Sequence, residues 1–174
     1  PLTHTNNGWL NLSGSEYVEI ADNSSLDITG NITISAWVYF DSSDSKGIIG
    51  KWGTNTSTNR SYLMRKITSA IEFYTGNGSA IDASTSASIS AGWRHIVCVY
   101  DGSNKKIYVD GEQSGSDSAY TETLLSGSSD VEIGSYGGNN FYPNSIDEVK
   151  IYNRALSEPE ITKNYKHGKG KHPN

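Results

Sequence analysis

Apolar residues along this chain come in short alternating runs, each closed by Gly, Asn, Asp or Ser. Tyr17-Val18-Glu19-Ile20 is the first clear one. The longest is Ile32-Thr33-Ile34-Ser35-Ala36-Trp37-Val38-Tyr39-Phe40, with Ile34, Ala36, Val38 and Phe40 on one face. Gly47–Trp52, Ser61–Arg65 and Ala70–Tyr74 follow, and Val131–Gly134 and Ile146–Tyr152 close the series. Between them, Gly92–Tyr100 and Lys105–Val109 read as a hairpin across an Asp-Gly-Ser-Asn turn. A period of two predicts strands with one face inward. Val97, Cys98 and Val99 are apolar on consecutive positions, so that strand should be covered on both faces, as in the middle of a sandwich. Strands never alternate with helix-length patterns, which excludes a parallel α/β architecture. One helical signal stands near the end. Ser157-Glu158-Pro159-Glu160 is a capping box with Pro in the first turn, and Ile161 and Tyr165 lie four apart. It predicts a turn or two of helix locking the C-terminal segment onto the sandwich. The expected fold is all-β, a two-sheet antiparallel β-sandwich with a short helical turn near the C-terminus. Residues 1–167 form one domain, and the Gly- and Lys-rich residues 168–174 a flexible tail or linker.

At 174 residues the chain is long enough to bury a two-layer core without staples. Its net charge of −5 argues against a nucleic-acid partner, because the only basic cluster is the terminal Lys166–His172. No apolar run approaches the roughly 18 residues of a membrane span, so no membrane insertion is expected. Eleven Tyr and four Trp against three Phe lean toward surfaces that bind, although Tyr is also simply a good strand former. The single cysteine, Cys98, sits mid-strand between valines and reads as a small core hydrophobe. The lack of a disulfide leans weakly to a reducing compartment. Against it, sequons at Asn11, Asn23, Asn31, Asn55, Asn59 and Asn77 permit secretion. With no signal peptide and a Gly/Lys end, the chain reads as a module excised from a larger protein.

The order of landmarks narrows the fold further. Tyr17–Ile20 leads to Ser25-Leu26-Asp27-Ile28 and then to Ile32–Val38; the Trp93-Arg94-His95 hairpin sits mid-chain, and Ile146–Ser157 comes near the end. Together these resemble the laminin-G-like, concanavalin A-type jelly-roll family over roughly residues 15–165. The resemblance implies a secreted or cell-surface module that presents a sheet or rim to a glycan, a polysaccharide or an extracellular protein. It also implies one structural calcium where the first loop meets the last strand, matched here by Asp22 and Asp147. Calcium takes oxygen ligands, and both positions supply them. The alternative for Asp22 is an Asx-turn, and for Asp147 a hydrogen bond to backbone amides. Lectins, adhesion modules and glycosidases share this superfold, so the site must be argued from its residues.

A glycosidase on this jelly roll typically needs carboxylates spaced Glu-x-Asp-x-(x)-Glu along one strand, so that alternate residues share a face. None are spaced so: Glu16 and Glu19 fall on opposite faces, and Asp147 and Glu148 are adjacent and therefore opposed. His95 stands alone in mid-chain, reads as a structural hydrogen-bonding group, and has no Gly-x-Ser-x-Gly beside it. The chain is therefore expected not to be an enzyme. Sugar sites combine aromatic faces with planar polar groups. Trp52 opens a polar loop from Thr54 to Arg60; Tyr62, Arg65, Glu72 and Tyr74 belong to neighbouring strands; Tyr136, Phe141 and Tyr142 lie in a Gly/Asn loop. The candidate ligand-binding set is Trp52, Arg65, Tyr74, Tyr136 and Tyr142, with Tyr136 and Tyr142 alternatively folding back over the sandwich rim. These readings add up to a non-catalytic, lectin-like carbohydrate-binding module with a structural calcium. The alternative is an adhesion or structural module that binds protein or spaces other domains.

Overall fold

The alternating runs become strands, and their apolar faces meet across a single core. The structure, a computed structural model, describes residues 3–4, 8–41, 45–54, 59–86 and 88–173. Among these, one sheet has eight strands in the order β1 (Thr3–His4), β2 (Leu10–Asn11), β14 (Ser145–Tyr152), β4 (Ile32–Phe40), β9 (Gly92–Tyr100), β10 (Asn104–Val109) and β11 (Glu112–Gln113), with β12 (Ser118–Ala119) also on β10. The other has six: β3 (Val18–Ile20), β13 (Val131–Ile133), β5 (Lys46–Trp52), β6 (Arg60–Ile67), β7 (Ala70–Gly76) and β8 (Ile81–Thr85). All pairings are antiparallel. The two-sheet sandwich expected from the pattern is the fold.

The central pair is β4 and β9, in unbroken register from Ile32 opposite Tyr100 to Phe40 opposite Gly92. Ile34, Ala36, Val38 and Phe40 face the core beside Ile96, Cys98 and Tyr100, and meet Tyr62, Met64, Ile71 and Phe73 of the second sheet. Alternation puts Val97 and Val99 on the opposite face, where they pack with Tyr108, Leu156 and Ile161 in a second, smaller apolar cluster. The strand is covered on both faces because a helix lies on its outer side. Cys98 is buried, and burial pushes its thiol well above the usual range, as suits a core hydrophobe.

That helix, α1 (Glu158–Gly168), is 11 residues long, more than the turn or two its signal suggested. The capping box forms: the Ser157 N–H and Oγ–H both donate to Glu160. Arg154, and after it Ser157, hold the Glu160 carboxyl down at about 2. Ile161 is buried and Tyr165 stacks toward Trp37, so the two residues chosen by spacing do lock the helix down.

Residues 168–173 differ from the flexible tail expected of a Gly/Lys sequence. A 3₁₀ turn over Lys169–Lys171 brings His172 back against the first sheet. Its ring lies 4.3 Å from that of Trp37 at 9° and 4.8 Å from that of Trp93. Nδ1 meets the Gly168 carbonyl at 2.9 Å and Nε2 meets Asp147 Oδ2 at 2.8 Å. Gly168 allows this because its Cα rests on the Trp37 indole, where any side chain would collide. The segment is anchored by aromatic stacking, which residue polarity does not reveal.

Candidate functional site

On the outer face of the six-stranded sheet, β6 and β7 carry Leu63 opposite Tyr74 and Arg65 opposite Glu72. The pleat sends Tyr62, Met64 and Phe73 inward, so this second set turns away from the core. Arg65 is held on three sides. Its Nε donates to Glu72 Oε2 at 2.8 Å, one terminal nitrogen to Tyr74 Oη at 2.9 Å, and the other to Tyr136 Oη at 3.3 Å. The guanidinium also sits 4.7 Å from the Tyr74 ring centroid. Burial works against its charge, but the bonds to Glu72 and Tyr136 outweigh it and hold Arg65 firmly protonated. Burial raises the Tyr74 phenol, which stays a neutral hydroxyl.

Trp52, Arg60, Leu63, Arg65, Tyr74, Ile81 and Tyr136 line a cleft of about 200 Å³. An adjoining depression of about 350 Å³ shares Arg60 and Tyr136 and adds Gly53, Thr54, Asn139 and Asn140. Neither lining contains a carboxylate among the described residues. Trp52 is the floor: it is nearly covered, with its ring edge-on to Tyr74 at 5.6 Å and Arg60 above it at 5.6 Å. Arg60 is fixed by donating from Nε and a terminal nitrogen to the Gly53 and Thr54 carbonyls. The loop between them, residues 55–58, and with it the Asn55 sequon, lies outside the described residues.

The Gly/Asn loop after β13 is built, not slack. Gly137, Gly138 and Asn140 have φ of +64°, +68° and +58°, values that glycine and asparagine tolerate. The Gly138 N–H donates to both oxygens of the buried Glu132 at 2.9 and 3.2 Å, and Ser135 Oγ donates to the Asn139 carbonyl at 2.6 Å. Gly47 of β5 lets the loop approach, because a Cβ there would stand 2.7 Å from Tyr136 Cδ1. Tyr136 is thereby placed over Arg65.

The structure brings together Trp52, Arg65, Tyr74 and Tyr136 and separates Tyr142 from them. Tyr142 is fully buried in the core and donates its hydroxyl to the Tyr39 carbonyl at 2.6 Å. It leaves the candidate set, because an aromatic whose single polar atom already has a buried acceptor gains nothing by facing water. Arg60, Asn139 and Asn140 join it; their signal was adjacency to Trp52 and Tyr136 in the polar loops.

The two aspartates matched to a calcium site do not converge. Asp22 follows β3 and bonds the Lys51 ammonium, whose side chain points to the core face with Tyr62 and Val131. Asp147 lies in the other sheet, on the outer face over which His172 and Trp37 stack. Each carboxylate already faces a basic side chain of its own, so this pair does not fit one shared ion. Among the described residues no cluster of three or more His, Cys, Asp or Glu side chains could hold a metal. Asp147 and Glu148 also depart from the expected opposition. A bulge with Glu148 at φ +46° aims both carboxylates at the C-terminal turn, where Asp147 meets His172 and Glu148 accepts from Lys171 at 2.9 Å.

His95 is buried beneath the helix, with Nε2 3.0 Å from Ser35 Oγ and Nδ1 without a partner. Burial, then the nearby Lys150 charge, pushes it down to about 4. Asp110 accepts from its backbone N–H, not from its ring. No Ser-His-Asp relay is assembled there.

With this geometry in hand, comparison with known proteins places the chain. A family model described as the concanavalin A-like lectin/glucanases superfamily, laminin G type, matches residues 12–162. The chain belongs to that superfamily. No curated protein matches this superfamily member. Among solved structures, the botulinum neurotoxin serotype G binding domain aligns with a TM-score of 0.74 at 14% identity, covering 96% of this chain and 44% of that one. The binding domain of paraclostridial mosquitocidal protein 1 aligns at 0.75 and 15%, covering 95% and 45%. A binding domain of botulinum neurotoxin DC, solved in complex with SialylT, gives 0.72 and 15%, covering 96% and 44%. At such identities the likeness is one of fold, and this superfamily member spans less than half the length of those chains.

Proposed function

We propose that this chain is a non-catalytic carbohydrate-binding module of a secreted or cell-surface protein, and that the cleft over Trp52 is its glycan site. The observation that carries the reading is the convergence of Tyr74, Tyr136 and Trp52 with Arg60 and Arg65 on one outer face. The half-exposed rings of Tyr74 and Tyr136 can stack on sugar C–H surfaces above the covered Trp52, beside guanidinium and amide groups that bond hydroxyls. Arg65 is fixed before any ligand arrives, so little ordering entropy opposes binding. Among the described residues the cleft lining offers no pair of carboxylates for glycoside hydrolysis, which favours retention over cleavage. The superfamily and the folds that resemble it, among them toxin binding domains, support a module that binds.

A glycan array followed by titration calorimetry tests this. Tyr136→Ala and Arg60→Ala should each weaken retention at least tenfold, the loss of about 1.4 kcal/mol. Melting temperatures should move little, since half-exposed side chains away from the core contribute within about 0.5 kcal/mol. Wild-type chain that retains no glycan on the array, or variants that retain it unchanged, would overturn the reading. A protein-binding module would then be the better account.

A further inference from the structure

Lys51 is a fully covered side chain in the second sheet, and a buried ammonium is strongly disfavoured unless oxygens surround it. Three do, two from the first loop and one from the segment that leads into β13. Asp22 offers Oδ1, Asp27 offers Oδ1 at 3.2 Å, and the Ser129 carbonyl accepts at 2.7 Å. Asp27 Oδ1 is itself buried and has no hydrogen bond, so the Lys51 charge is what compensates it. Asp22 is steadied in turn by its backbone N–H, which donates to Asp130 Oδ1 at 2.9 Å. Asn23 caps the 3₁₀ turn over Ser24–Leu26 that separates the two aspartates. The ammonium thus ties the first loop to β5 and to the segment entering β13.

Two carboxylates and a backbone carbonyl are the donor set of a hard divalent cation. Here the centre of that set holds the chain's own nitrogen. We infer that Lys51 is a built-in counter-cation that does at the first loop what a structural metal would do, and that removing its amine converts the same oxygens into a divalent-cation site. The ammonium is tethered and cannot diffuse away, so a free ion gains nothing by competing with it. Without the amine, two carboxylates face each other across a vacated position and only an external cation can neutralise them.

The test is thermal melting of the full chain in millimolar calcium, in magnesium and in EDTA, with terbium luminescence as a direct reading of binding. The wild type should melt at one temperature in all three and bind no terbium. Lys51→Ala should melt several degrees lower in EDTA, recover at least half of that loss in calcium, and bind terbium. Lys51→Ala carrying Asp27→Asn should lose both responses. A wild type that calcium stabilises would overturn the inference, as would a folded Lys51→Ala that ignores calcium. Should Lys51→Ala not fold, Asp27→Asn alone decides: the inference requires an equal loss of melting temperature in calcium and in EDTA, and a loss confined to either condition refutes it.

Discussion

Two glycines two residues apart at the end of the chain should respond oppositely to the same added methyl group. A Cβ on Gly168 would overlap Nε1 of Trp37 and stand 2.8 Å from its Cε2 and 3.1 Å from its Cζ2. The indole has no room to yield, with the rings of His172 at 4.3 Å, His95 at 5.4 Å and Tyr165 at 5.8 Å. Gly→Ala in a helix interior ordinarily gains up to about 1 kcal/mol, and less at a terminus. Overpacking a closed site costs about 1–3 kcal/mol. If the C-terminal turn lifts instead, it forfeits the His172–Trp37 stack, about 0.5–1.5 kcal/mol, and weakens the His172–Asp147 contact. Either way Gly168→Ala should destabilise by about 2 kcal/mol, lowering the melting temperature by about 4–8 °C in a domain of this size. A Cβ on Gly170 meets nothing within 4 Å, so Gly170→Ala should stay within about 0.5 kcal/mol of wild type. Differential scanning calorimetry of the three proteins decides. Equal melting temperatures for Gly168→Ala and Gly170→Ala would falsify the packed C-terminus and restore the tail that composition suggests.

His95 makes stability depend on pH. Its folded value of about 4 lies below the ordinary 6.5, so between these the unfolded chain takes up a proton that the folded one refuses. Stability should be complete above pH 6.5 and fall by up to about 3 kcal/mol as pH drops to 4, and denaturant titrations of His95→Gln should lack that part of the slope. Gly47→Ala should drive the loop carrying Tyr136 off β5, since its Cβ would stand 2.5 Å from the Ser135 carbonyl carbon; we expect a loss of about 1–3 kcal/mol in stability together with weakened glycan retention. Unaltered melting and retention in that variant would show that the loop has slack the geometry denies.

The sandwich was legible in the sequence because strand periodicity is a local property. Val97, Cys98 and Val99 in succession announced a strand covered on both faces, and the structure supplies a core on one side and α1 on the other. Ser157 and Glu160 announced the start of that helix for the same reason: a capping box is complete within four residues. Trp52, Arg65, Tyr74 and Tyr136 could be nominated as aromatic and polar residues in strands and loops, but the sequence left Tyr142 indistinguishable from Tyr136. One is fully buried and the other lines the cleft; the fold draws Tyr142 into the core, where the Tyr39 carbonyl takes its hydroxyl. The aspartates show the same limit. Asp22 finds its cation 29 positions away on Lys51, and Asp147 finds its partner 25 positions away on His172. Adjacency put Asp147 and Glu148 on opposite faces until a single bulge turned both toward one end of the chain. Local alternation determines which residues can be strands and which face they offer. Which charges meet depends on chain closure across the two sheets and on one-residue slips in register, and those exist only once the whole sandwich has formed.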